Sequence, residues 1–356
     1  MRKHNFYAGP AVLPLEVLVE ASRGVLQHDN IGLSIIEISH RSKDFGEVIE
    51  EAEHRLRRLM NIPDDYAVLF LQGGARLQFA MIPMNFLGDS ETAVYTDTGE
   101  WARQAIEEAK LFGKVHIGAS SRDENYSYIP KEIDIPDGAK YLHITTNNTI
   151  YGTQWHSIPD VSIPLVADMS SDILSRQLDV SKFAIIYAGA QKNAGTAGVT
   201  IVIIRKDFAE QVVRPVPSML DYRKHISKKS LLNTPPVFAI YVSMLTFKWL
   251  ESIGGIPEIE RRNREKASLI YDVLDKWEVF VPTARKEDRS LMNITWRLKD
   301  SQLEGELLKM CEEANIVGIK GHRKVGGFRA SVYNALPMES VKVLVDVLET
   351  FGRKYG

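Results

Sequence analysis

The sequence predicts an α/β protein: a large domain with a mainly parallel central sheet, followed by a smaller C-terminal α+β domain. Three observations point there. Short apolar, β-branched runs recur between residues 66 and 204 and read as strands buried on both faces. Helical patterns separate the early ones, giving the β-α-β rhythm of a parallel sheet with right-handed crossovers. Beyond Pro257 the chain alternates strand and helix over a shorter stretch. A length of 356 residues suffices for two domains. They are placed at residues 1–256 and 257–356, with the N-terminal segment expected near the ligand-binding edge of the large sheet.

The elements follow in order. Ala8-Gly9-Pro10 is a turn, and after Pro14 a helix runs to about His28. Ser34 to Ser39 reads as short and extended, delivering His40 and Arg41. Phe45 to Asn61 reads as a helix. Val48, Ile49, Ala52, Leu56 and Leu59 recur at helical spacing with charges opposite, and Pro63 ends the run. Tyr66–Leu71 is a strand. Gln72-Gly73-Gly74-Ala75-Arg76 then opens a helix through about Leu87. Ala93–Tyr95 is a strand, and Thr98-Gly99-Glu100-Trp101 caps a helix to about Phe112. Tyr141–Thr145, Leu165–Ala167, Phe183–Tyr187 and Val199–Ile204 are strands. Arg214 to Pro236 reads as a loop, carrying Arg223, Lys224, His225, Lys228 and Lys229. An apolar helix extends from there to about Ser252, and a charged one from Pro257 to about Trp277. Strand Leu291–Leu298, helix Leu303–Ala314, strand Phe328–Tyr333 and helix Val341–Phe351 complete the small domain.

Composition excludes several classes. A hydrophobic fraction of 44% with 25% charged residues is that of an ordinary soluble globular chain. A net charge of −2 gives no basic field for nucleic acid. Cys311 is the single cysteine, which rules out an intramolecular disulfide and any CxxC metal site. No apolar run approaches the about 18 residues a membrane span needs, and the N-terminus lacks a signal-peptide core. The expectation is a cytoplasmic protein. The GxGxxG and GxxxxGK[ST] signatures are absent.

The stretch Phe183–Arg205 carries the chemistry. Between its two apolar flanks lies a segment of Gly, Ala and Thr holding Gln191, Lys192 and Asn193. A lysine between buried strands is desolvated, which favours its neutral amine. Such an amine can condense with an aldehyde. Lys192 also reads as a loop lysine whose stem packs while its charge reaches water. Asp168 ends a short buried run, at the edge where α/β sheets bind ligands. It reads equally as a turn or N-cap residue before Ser170. Pyridoxal phosphate needs both groups: a lysine for its aldehyde, and an acid for its ring nitrogen. The glycines at 73 and 74 make a strand-to-helix turn whose free N–H groups suit an anion, with Arg76 as an added fork. Trp101 reads as a stacking aromatic or a core residue, and Asn147, Asn148 and Thr149 as ring contacts or an Asx-turn. Gly321-His322-Arg323-Lys324 through Arg329 reads as an anion site or a solvated basic loop.

Together these motifs resemble one family, the phosphoserine aminotransferases, fold-type I pyridoxal-phosphate enzymes of class V. The resemblance spans nearly the whole chain. It rests on Ala8-Gly9-Pro10, Ser39-His40-Arg41, Gln72 to Arg76, Asn147 to Ile150, Asp168 to Ser171, Tyr187 to Lys192, Asn233-Thr234-Pro235-Pro236, Gly321-His322-Arg323 and Gly326 to Ser331. It implies transamination between L-glutamate and 3-phosphohydroxypyruvate in serine biosynthesis. The same reading extends to 4-phosphohydroxy-L-threonine in pyridoxine biosynthesis, whose extra hydroxyl needs little room. Lys192 would carry the cofactor and move the proton, and Asp168 would pair with the ring nitrogen. Trp101 would stack on the ring, Thr149 would bond near its hydroxyl, and Gln191, Ala75 and Arg76 would hold the phosphate. Asn233 and Thr234 would reach the cofactor phosphate of a neighbouring subunit, so a homodimer is expected. Arg329 would clamp the α-carboxylate. His40, Arg41, His322 and Arg323, some from the partner chain, would take the distal phosphate or carboxylate. Histidine suits that place because it can protonate to match the larger charge.

Ala8 stands where the family commonly has serine, Asn148 where glutamate is common, Ala75 where glycine is, and Thr196 where proline is frequent. Competing readings share the cofactor. A cysteine desulfurase needs a reactive loop cysteine, whereas Cys311 sits in a helical pattern. An alanine–glyoxylate type aminotransferase has no use for the His-Arg pairs at 40–41 and 322–323. A non-catalytic cofactor-binding protein has no use for the arginines.

Overall fold

The computed structural model describes residues 2–356. In chain order its strands are β1 (His4–Asn5), β2 (Tyr66–Leu71), β3 (Thr92–Asp97), β4 (Lys114–Ser120), β5 (Leu142–Thr145), β6 (Leu165–Asp168), β7 (Ile185–Gly189), β8 (Thr200–Arg205), β9 (Phe280–Pro282), β10 (Asn293–Leu298), β11 (Ile316–Val317) and β12 (Phe328–Ser331). Its α-helices are α1 (Leu15–Leu26), α2 (Lys43–Met60), α3 (Gly74–Phe86), α4 (Glu100–Ala109), α5 (Lys206–Ala209), α6 (Tyr222–Ser227), α7 (Val237–Ser252), α8 (Gly255–Lys276), α9 (Glu304–Glu313) and α10 (Met338–Tyr355).

The 7-stranded sheet has the order β2-β8-β7-β6-β5-β3-β4. All its neighbours pair in parallel except β8, which runs antiparallel to both β2 and β7. Six strands therefore run one way, and their C-terminal ends line one edge. Strands β5, β6 and β7 are buried throughout, and so is β2 at the sheet's edge. This is why they read as continuous apolar runs rather than alternating ones. Helices cover both faces. Phe45, Val48, Ala52 and Leu56 of α2 pack on one side, and Phe79, Ile82 and Phe86 of α3 on the other. Ser42 caps α2 by accepting from the Phe45 N–H.

A second core gathers around a 3-stranded antiparallel sheet, β12-β10-β9. Helix α8 bridges the two, burying Ile256 and Ile259 in the first core and Ile270 and Leu274 in the second. The N-terminal segment packs with the second core. β1 pairs in parallel with β11, and Phe6 is fully buried beside Ile316 and Phe328.

Three local expectations are corrected. Residues 34–39 form a turn, not an extended run: Ser34 Oγ accepts from the Ile36 N–H, and Glu37 Oε2 accepts from the Ser34 N–H at 2.9 Å. These side chains offer the backbone a local alternative to extension. The segment 214–236, expected as loop, contains α6, because Asp221 accepts from the Arg223 N–H and caps it. β4 is an additional strand at the sheet edge, and its half-exposed pattern gave little periodic signal. Among the described residues no single helix is long and apolar enough to cross a membrane.

Candidate active site

The C-terminal edge of the large sheet opens into a cleft of about 710 Å³. Five strand ends supply it. β2 ends at Leu71, and the chain turns through Gly73 (φ +90°) and Gly74 (φ +68°) into α3. A Cβ on Gly73 would lie 2.4 Å from the Leu77 side chain, so the turn requires glycine. No side chain caps α3, which leaves its first N–H groups, near Ala75 and Arg76, directed at the cleft. Arg76 Nε donates to Gln104 Oε1 at 3.1 Å.

β3 leads into α4, whose first turn holds Trp101. Its indole Nε1–H donates to Thr149 Oγ1 at 3.0 Å, which fixes the ring plane on the cleft wall. β5 delivers Thr145, whose buried Oγ1 has no partner among the described residues. Asn147 lines the cleft and is tied into the wall behind it. Its Nδ2 donates to Ser171 Oγ and Asn293 Oδ1, both at 2.8 Å. Asn148 donates to the Thr98 carbonyl. These two asparagines brace the wall.

β6 ends at Asp168, which is 6% exposed. Its Oδ1 accepts from the Ser170 N–H at 2.9 Å. Burial pushes its pKa up, against the hydrogen bonds from Ser170 and the nearby Lys192 charge. β7 leads to Gln191 and Lys192. Burial pulls the Lys192 amine down to about 8, with Asp168 opposing and Arg329 assisting. Gly9 crosses above, where a Cβ would sit 3.3 Å from Lys192 Cγ.

The opposite wall comes from the second core. Arg329 of β12 donates through Nη1 to the Thr149 carbonyl at 3.0 Å, and its buried Nε has no partner among the described residues. Burial depresses its pKa. His322 and Arg323 line the cleft on the loop before β12. Burial and the charges of Arg329, Arg323 and Lys324 lower the His322 pKa, while Glu100 opposes them.

Most of the residues singled out in the sequence thus meet in one cleft: Ala75, Arg76, Trp101, Thr149, Asp168, Gln191, Lys192, His322, Arg323 and Arg329. Four do not. Asn233 Nδ2 donates to Gln72 Oε1 at 2.7 Å, and Gln72 Nε2 to the Thr234 carbonyl at 3.1 Å, so both sit beside the glycine turn, outside the cleft. His40 and Arg41 lie in the turn before α2, with Arg41 exposed. The sequence reading missed Glu100, Gln104, Thr145 and Ser170, whose residue types carry no motif of their own. Cys311 is 1% exposed, and burial raises its thiol to about 12, so it is inert packing in α9.

The residues present fit a flat, phosphorylated aldehyde cofactor. They offer a desolvated amine, a buried acid, an uncapped helix start, an aromatic wall, and unpartnered donors on Thr145 and Arg329.

Comparison with known proteins agrees with this chemistry. The family model for aminotransferase class-V matches residues 3–344. A phosphoserine aminotransferase of Bacteroides thetaiotaomicron is 52% identical over 353 residues, covering 99% of each chain. Among solved structures, the phosphoserine aminotransferase of Bacillus circulans subsp. alkalophilus superposes with a TM-score of 0.97 at 49% identity, covering 100% of this chain and 99% of that one. A PLP-bound phosphoserine aminotransferase of Trichomonas vaginalis gives a TM-score of 0.93 at 39% identity, covering 98% and 100%.

Proposed function

The chain belongs to the class-V aminotransferase family, and we propose that it acts as a phosphoserine aminotransferase dependent on pyridoxal 5'-phosphate. It moves an amino group from L-glutamate to 3-phosphohydroxypyruvate, giving O-phospho-L-serine and 2-oxoglutarate for serine biosynthesis. One observation carries this reading: the Lys192–Asp168 pair shares a single cleft with the basic side chains of His322, Arg323 and Arg329. An amino acid with an anionic tail needs that combination. An alanine–glyoxylate type enzyme would have no use for so many cations, and a desulfurase would need a thiol that Cys311 cannot supply.

Pyridoxal phosphate, when bound, supplies an aldehyde that takes the amino group and a ring that accepts electrons from the bond being broken. The chain supplies the rest. Lys192 Nζ, its pKa pulled down to about 8, takes the Cα proton of the donor amino acid and, in the second half of the cycle, gives a proton to the Cα of the acceptor. Asp168 would pair with the ring nitrogen and keep its proton there. Thr149 accepts from Trp101 through Oγ1, so its hydroxyl hydrogen is free to donate toward the ring oxygen. Trp101 would stack on the ring. Ala75 and Arg76, at the uncapped start of α3, and Gln191, after β7, would hold the phosphate.

Arg329 clamps the substrate α-carboxylate through its unpartnered Nε–H side. His322 and Arg323 receive the distal phosphate or carboxylate. We assign Asn233, Thr234, His40 and Arg41 to the neighbouring subunit's site, because they lie outside the cleft of their own chain. The functional unit is then a homodimer, acting on small molecules in the cytoplasm. 4-Phosphohydroxy-L-threonine fits as a second substrate.

The test is the visible spectrum of the purified holoenzyme. O-phospho-L-serine should convert the aldehyde form of the cofactor to its amine form, and plain serine should not. A holoenzyme that ignores phosphoserine refutes the substrate assignment.

A further inference from the structure

Among the described residues, one side-chain hydrogen bond ties the loop carrying His322 and Arg323 to the large domain. Lys324 Nζ donates to Glu100 Oε1 at 2.7 Å, joining the loop to the first turn of α4, next to Trp101. The Glu100 side chain is 9% exposed. Its carboxylate also takes Arg103 Nη2 at 2.9 Å and Gln104 Nε2 at 2.8 Å. Gln104 in turn accepts from Arg76. One network therefore runs from the loop to the start of α3.

The loop needs this anchor. Its base is pinched: a Cβ on Gly321 would lie 2.0 Å from the Gly326 carbonyl, and Gly326 and Gly327 both have positive φ. Its own hydrogen bonds are local, such as Val325 N–H to the His322 carbonyl at 2.8 Å. Arg297 ties Val325 only to the small domain's own sheet. Arg323 makes no ion pair among the described residues. His322, Arg323, Lys324 and Arg329 repel one another when charged, and Glu100 is the buried anion that offsets them.

We propose that the Glu100–Lys324 pair is a clasp that positions His322 and Arg323 for the dianionic tail of the substrate, making both members specificity-determining positioning residues. This rests on the phosphoserine reading above. The clasp holds the cation loop closed before substrate arrives, so less binding energy goes into ordering it.

The test uses the full-length holoenzyme with the single variants Glu100→Gln and Lys324→Met, the double variant, and Lys324→Arg. Steady-state kinetics and hydrogen–deuterium exchange of amides 321–327 are both measured. Each single variant should raise KM for phosphoserine about 5- to 30-fold with little change in kcat, and raise KM for glutamate less. The double variant should be no worse than the worse single, Lys324→Arg should restore most of the loss, and exchange in 321–327 should quicken without substrate. Additive losses, an unchanged KM, or unchanged exchange would overturn the clasp. Should the parent enzyme ignore phosphoserine, the substrate reading fails separately, while loop exchange still judges the tie itself.

Discussion

The Arg329 guanidinium and the Thr149 backbone carbonyl meet at 3.0 Å, and this bond joins the two cores across the cleft. Arg329 comes from the small antiparallel sheet, and Thr149 from the loop after a central strand of the large one. The contact uses Nη1 and leaves Nε without a partner among the described residues, the side proposed above to take a substrate carboxylate. It also sets Arg329 beside the residue whose hydroxyl braces Trp101.

Arg329→Ala should therefore lower kcat/KM for phosphoserine and for glutamate alike, by about 10- to 100-fold, since both share the α-carboxylate. His322→Ala or Arg323→Ala should hurt phosphoserine more than glutamate. Half-reaction rates with each amino acid check both statements. Equal losses from the loop variants would remove the tail-recognition role.

Lys192→Ala should reduce turnover by at least about 10²–10⁴-fold while the fold persists, because the group proposed to transfer the proton is gone. The pH dependence follows from its depressed pKa. Only the neutral amine captures an aldehyde, so cofactor capture by the apoprotein should accelerate as pH rises through about 8 and level off above it. Stopped-flow absorbance on apoprotein reads this. A profile that keeps climbing toward the ordinary lysine pKa would mean that the amine is not desolvated.

His322 should take up a proton when a dianionic tail binds. Burial and the cations Arg329, Arg323 and Lys324 hold it below its ordinary pKa, so it is neutral near pH 7.5 in the free enzyme. A phosphate reverses that field and raises the bound-state pKa. Affinity should then be greatest below the free pKa and fall as pH rises through the bound one. Calorimetry with 2-phosphoglycolate, in two buffers of different ionisation heat, measures the uptake. His322→Asn should abolish it.

Lys266→Met should destabilise the protein by about 1–3 kcal/mol. The lysine is 2% exposed, and Nζ donates to the Val332 carbonyl at 3.0 Å and the Tyr333 carbonyl at 2.7 Å. Its loss leaves the buried Val332 carbonyl just past β12 without this partner, while the Tyr333 carbonyl keeps the Leu336 N–H at 2.9 Å. Denaturant unfolding should show a lower midpoint. Lys299→Met, at an exposed pair with Glu278, should stay within about 0.5 kcal/mol of the parent.

The sequence by itself determined much of this protein. Tyr66–Leu71 was legible as a strand because a buried strand is a short run of apolar residues. The α2 face was legible because its packing residues repeat at helical spacing. Lys192, Asp168, the glycine turn at 73–74 and the basic stretch at 321–329 stood out because their chemistry is local: a charge among apolar neighbours, or glycines where a backbone must bend. The tertiary structure alone decided the rest. It reversed β8, set the strand order, and sent Phe6 into the C-terminal core beside residues some three hundred positions away. It folded residues 34–39 into a turn and buried Lys266 within a helix that looks merely charged. It also brought Glu100 to Lys324. These relationships depend on which faces pack together, and packing compares distant parts of the chain that no one-dimensional pattern brings side by side.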